Sequence, residues 1–76
     1  MTTTKPHRIN PNKLLLSKWT SNSPQQKEKH FIVTKLHRDE NEVVIACILE
    51  AVINKNQYQL PWQDLTSVEN WQQGWK

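Results

Sequence analysis

Apolar residues in this chain gather into short blocks between polar turns, and inside the blocks the spacing is that of strands. The segment HFIVTKLHR (30–38) places Phe31, Val33 and Lys35 on one side and Ile32, Thr34 and Leu36 on the other. VVIACILEAVIN (43–54) is the most apolar block. Drawn as a helix it carries Val44, Cys47, Ile48, Ala51 and Val52 on one stripe. However, six of the eleven residues from Val43 to Ile53 are β-branched, which disfavours a helix and suits a pleated surface. Polar turns at DENE (39–42) and NKN (54–56) bound it, so a strand is predicted. KLLLSKWTS (13–21) alternates imperfectly but has the Leu triplet and Trp19, and reads as the first strand. QYQL (57–60) alternates with Tyr58 and Leu60 inward until Pro61, which has no N–H for a ladder. Strands are therefore expected near 14–20, 30–38, 43–53 and 57–60.

The remaining segments are punctuation. NSPQQKEK (22–29) reads as a polar loop with Pro24 opening a turn, and DENE as a loop built on a type I turn. Thr66 or Ser67 can cap one helical or 3₁₀ turn near 67–72, with Gly74 as its positive-φ stop. Residues 1–12 have two prolines, three threonines and no apolar period, and read as a disordered tail before a single domain over 13–76. The unbroken apolar run Val43–Leu49 asks for cover on both faces, yet no long helix is available to supply it. The expected fold is all-β (or β-rich α+β): a small, strongly bent antiparallel sheet of three to five strands. It would form a half-barrel or roll and carry a short C-terminal helical turn. Phe31, Val33, Ile45, Cys47, Leu49, Leu60 and Trp62 form the expected core.

Composition sharpens this. Four tryptophans occur in 76 residues. Burying one ring removes about 150–250 Å² from water, about 4–6 kcal/mol gross, against a net domain stability of about 5–15 kcal/mol. The rings are thus expected in the core first and on the surface second. The spacing of Trp71 and Trp75 would set both on one side of a helical turn. Residues 1–30 carry six Lys or Arg against one acid, a net of +5, and residues 31–76 carry a net of −2. A basic front on a slightly acidic body suits an anionic partner.

Few residues offer reactive chemistry. A single cysteine excludes an internal disulfide framework, and Cys47, mid-strand among apolar neighbours, reads as a buried inert thiol. His7, His30 and His37 lack metal spacing, and seven residues along one strand would turn His30 and His37 to opposite faces. Glu50 is expected at the surface near Lys35, and Asp64 as a turn or cap residue. One glycine cannot build a phosphate-cradling loop. No cofactor, metal or catalytic residue is expected, and a pocket beside Trp62 lacks a convergent acid, base or nucleophile. No apolar stretch reaches membrane-spanning length, and Met1–Lys5 lacks the apolar run of a signal peptide. A cytoplasmic protein without membrane contact is expected.

In order, KLLLSKWTS, KEKHFIVTKL, CILEAVINK and LPWQDLTSVENWQQGW resemble a small tryptophan-rich bacterial family of unknown function. The resemblance covers residues 13–75. It rests on Lys13, Ser17, Lys18, Trp19, Lys27, Glu28, Lys29, His30, Phe31, Glu50, Trp62, Trp71, Gly74 and Trp75. It implies a stand-alone cytosolic bacterial protein and supplies no activity or site. Several of these residues are polar, beyond what a core requires. If the SKW and KEKH groups begin neighbouring strands, their cations converge beside an aromatic ring. The leading expectation is a non-enzymatic binding module for RNA or single-stranded DNA, acting through Lys18, Trp19, Lys27, Lys29, His30 and Trp75. The rival is a protein-interaction adaptor, or a homo-oligomer, that docks a peptide or strand on a sheet edge. The protein itself would be a monomer or weak homodimer.

Overall fold

A computed structural model of the chain describes residues 6–76. Five strands form one antiparallel sheet: β1 (Lys18–Gln25), β2 (Glu28–Arg38), β3 (Val44–Ala51), β4 (Gln57–Pro61) and β5 (Trp71–Gln73). The spatial order is β4-β3-β2-β1-β5, so the sheet is open, with β4 and β5 as its edges. Short 3₁₀ turns at Pro11–Lys13 and Trp62–Thr66 are the helical elements among the described residues. The β-branched run at 43–53 has formed a strand.

The first hairpin is tighter than its composition predicts. β1 continues through Pro24, and the turn consists of Gln26 and Lys27 alone, at φ 53° and 65°. Positive φ at both central residues gives the twist that a two-residue hairpin needs, here without the usual Asn-Gly. Pro24 is tolerated because the β1–β2 register shifts between Thr20 and Gln25 and β5 pairs only with Trp19–Ser21, so Pro24 has no ladder partner on either side.

Two bulges rearrange the faces between β2 and β3. Thr34 and Ile45 have no cross-strand partner in the register, which shifts between Val33 and Lys35 and again between His37 and Arg38. Each extra residue reverses the alternation beyond it. Leu36, predicted opposite in direction to Val33, instead pairs with Cys47 on Val33's side, while Lys35 pairs with Ile48 on the other. His30 and His37 consequently share a face rather than opposing one another. Ile45, predicted in the core, is 51% exposed because it occupies the bulge. Glu50 pairs with Ile32 and accepts a hydrogen bond from Gln57 Nε2 at 3.1 Å, with Lys35 only diagonal to it.

One face of the sheet holds the core. Across the strands, Trp19, Phe31 and Ala51 form one row, Val33, Leu49 and Tyr58 a second, and Leu36, Cys47 and Leu60 a third. Leu14 and Leu65 are buried over this face, with Ile9, Trp62 and Trp71 packed partly against it. Phe31, Val33, Cys47 and Leu49 are buried as predicted, Leu60 and Trp62 half-buried. Trp19, at 2% exposed, is the most buried tryptophan. The stretch read as a tail supplies part of this lid over residues 6–12. His7 donates its backbone N–H to Thr66 O at 2.9 Å, its Nε2 lies 2.7 Å from Trp71 O, and its ring stands edge-on to Trp19. The rest of that predicted tail, residues 1–5, lies outside the described residues.

The C-terminal helical turn falls earlier than predicted. Trp62–Thr66 forms it directly after Pro61, burying Leu65, and Ser67–Asn70 makes only a reverse turn into β5. Trp71 and Trp75 therefore lie on opposite faces of the sheet instead of one side of a helix.

Glu28 is the buried acid of the fold, at 6% exposed. Its carboxylate accepts hydrogen bonds from Tyr58 OH at 2.6 Å, Asn54 Nδ2 at 2.8 Å and Asn56 Nδ2 at 3.1 Å. The phenol, and then the amides, hold its pKa below the ordinary value, and the same bond raises that of Tyr58.

Candidate functional site

Among the described residues, no layer covers most of the other face. The apolar run of β3 was expected to be covered on both faces, but Ile32 and Ile48 stay only half-buried here. Cover comes at one end, where the chain turns back after β5.

Gly74, at φ 82°, makes that turn. Its N–H donates to Lys18 O at 2.8 Å, while Thr20 Oγ1 donates to Gly74 O at 2.7 Å and accepts from the Lys76 N–H at 2.9 Å. One hydroxyl, buried in β1, thus clamps the last residues over the face. Trp75 lies above it. Its Nε1 donates to Phe31 O at 3.0 Å, fixing the ring between Lys18 and His30. Lys18 Nζ lies 4.7 Å from the ring centroid, within cation–π range. The His30 ring is 6.1 Å away, and its Nε2 lies 2.9 Å from Lys76 O. Trp75 remains 44% exposed.

Of the residues predicted for a binding surface, the fold unites Lys18, His30 and Trp75. Register explains this: Lys18 pairs with Ile32 and Thr20 with His30, so all four side chains share the face. Trp19, predicted beside these lysines, is one residue away and so points into the core. Its Nε1 donates to Ser17 Oγ at 2.8 Å, and its burial leaves no ring surface for stacking. Lys27 sits at the hairpin tip, and Lys29 is exposed immediately before His30. Thr20 and Lys76 complete the cluster without having been predicted. The Trp75–Lys76 adjacency hinted at the second, whereas nothing in the sequence marks Thr20.

The cluster offers cations, ring edges and one half-open indole, which is equipment for binding. Cys47 lies apart, wholly buried, its thiol pushed up to about 11 first by burial and then by the charge of Asp64. It stays protonated near neutral pH and is a poor nucleophile. Among the described residues no group of three or more His, Cys, Asp or Glu is placed to hold a metal ion. No described helix is long and apolar enough to cross a membrane.

A family model described as tryptophan-rich protein (DUF2389) matches residues 17–76. The chain belongs to this family. The span matched to DUF2389 contains all five strands, all four tryptophans and the Gly74 turn. No curated protein and no solved structure matches the chain.

Proposed function

We propose that this protein is a non-enzymatic cytoplasmic binding module that takes RNA or single-stranded DNA on the face bearing Lys18, His30 and Trp75. The carrying observation is the pinned but half-open Trp75 ring, with the Lys18 ammonium 4.7 Å from its centroid. A base stacks on the free part of such a ring while neighbouring cations meet the phosphates. The indole N–H bond to Phe31 O holds the platform in place before any ligand arrives, so little ordering cost remains.

Titration of a fluorescently labelled single-stranded RNA at two salt concentrations tests this. Binding should weaken with salt, and Lys18→Gln should flatten the slope by about 0.7, the share of the one phosphate that this ammonium neutralises. Trp75→Leu should lower affinity by about tenfold with little change in slope, as removal of one stacked base predicts. Absence of binding at low salt, or unaltered binding by both variants, would remove the reading.

A further inference from the structure

We infer that the core face of the sheet carries a second, separate site, a cleft that takes a small methylated ammonium ion. The cleft has a volume of about 290 Å³ and is lined by Glu28, Phe31, Leu49, Tyr58, Leu60 and Trp71 among others. Three of these are aromatic. Phe31 lies between the other two rings, Tyr58 at 6.3 Å and 67°, Trp71 at 5.4 Å and 81°. Steep angles mean that the rings do not cover one another face to face. Tyr58 and Trp71 belong to opposite edge strands, which in a flat sheet lie about 19 Å apart. Both centroids lie within 6.3 Å of that of Phe31, so the two rings flank one cleft, and a small cation seated beside Phe31 meets both across it.

Glu28 supplies the charge. Among the described residues its hydrogen-bond partners are all neutral, and the carboxylate brings its negative charge to the side of an aromatic cleft. Those three donors also set the selectivity. A carboxylate offers about four lone-pair positions, so about one remains open. A guanidinium or primary ammonium brings several N–H groups, which the apolar side of the cleft cannot accept and only the hydroxyls and amides of Ser21, Ser23, Gln25 and Gln26 along its polar side could meet. A trimethylammonium group has no N–H to satisfy and presents methyls to the rings, Leu49 and Leu60. The cleft suits a charge that needs no hydrogen bonds.

Choline chloride is the probe, read through the Trp71 indole and Tyr58 ring resonances. The comparators are 3,3-dimethyl-1-butanol, its neutral isostere, and guanidinium chloride. Choline should shift both resonances saturably, with the isostere and guanidinium about tenfold weaker or more. Tyr58→Leu should weaken choline about tenfold while the melt stays cooperative, and Glu28→Gln should erase the preference over the isostere. Lys35→Gln, on the opposite face, should leave the choline response unchanged. Equal binding of choline and its isostere overturns the inference, as does a linear choline response up to about 50 mM. Should Glu28→Gln fail to fold, the isostere comparison on the wild-type chain and Tyr58→Leu decide the matter.

Discussion

Adjacent or like residues here carry opposite duties, and the difference lies in which way each side chain points. Trp19 is sealed in the core between Phe31 and the His7 ring, so Trp19→Ala should cost about 3–5 kcal/mol and abolish cooperative melting in a domain this small. Trp75 is held by one indole hydrogen bond and one cation, and Trp75→Leu should lower stability by only about 1 kcal/mol. Thermal melts of both variants check the contrast. Glu28 makes a pH prediction. Its folded pKa lies below the unfolded value, so its contribution is complete above about pH 4.5 and is lost as pH falls through the folded value. Glu28→Gln should therefore destabilise the protein at pH 7 and flatten the decline in Tm as pH falls below about 4.5. A variant whose acid limb matches wild type would show that the carboxylate gains nothing from Tyr58 and the asparagines.

At the scale of the element, the bulges decide which residues of a continuous apolar strand reach the core. Val44 is buried while Ile45, equally apolar, is turned out by the missing cross-strand partner. Ile45→Lys should shift stability by no more than about 0.5 kcal/mol, whereas Val44→Lys buries an unpaired ammonium and should cost more than about 3 kcal/mol. Denaturant titration of the pair tests the register directly, since removal of the bulge would exchange the two outcomes. The strands themselves were legible because β-branched content and turn residues are local properties. The bulges were not, because nothing in Val33–Lys35 or Val44–Ala46 differs from an ordinary strand, and only pairing with a second strand reveals an extra residue.

For the whole molecule, the core lies on one face, and segments outside the central strands finish the sheet. Residues 6–14 and 62–66 lid the core side, while Gly74–Lys76 strap the far side through Thr20. Ending the chain at Gln73 should leave a cooperatively folding domain with a lowered Tm, because β5 and the core side are intact. It should also remove nucleic-acid binding, since the ring and Lys76 go together; calorimetry and the RNA titration on the shortened chain separate the two effects. Retained binding would place the interface elsewhere, for instance along the open β4 edge.

The amino-acid sequence by itself determined the all-β class, three strands near their observed limits, the early part of the core and the inert Cys47. Each depends on residues close in the chain: β-branching, alternation, a proline without an N–H, a thiol among apolar neighbours. It also held the pieces of the candidate site, as lysines and a histidine near tryptophans. Only the tertiary structure decided which tryptophan joins them. Lys18 and Trp19 are neighbours in the chain and sit on opposite faces, while Trp75 reaches Lys18 because Gly74 reverses the backbone and Thr20 anchors it. The second cleft was likewise invisible, since Glu28, Tyr58 and Trp71 come from three strands. The physical reason is common to both. In a sheet, faces are assigned by register, and register is a property of strand pairs that no single stretch of sequence contains.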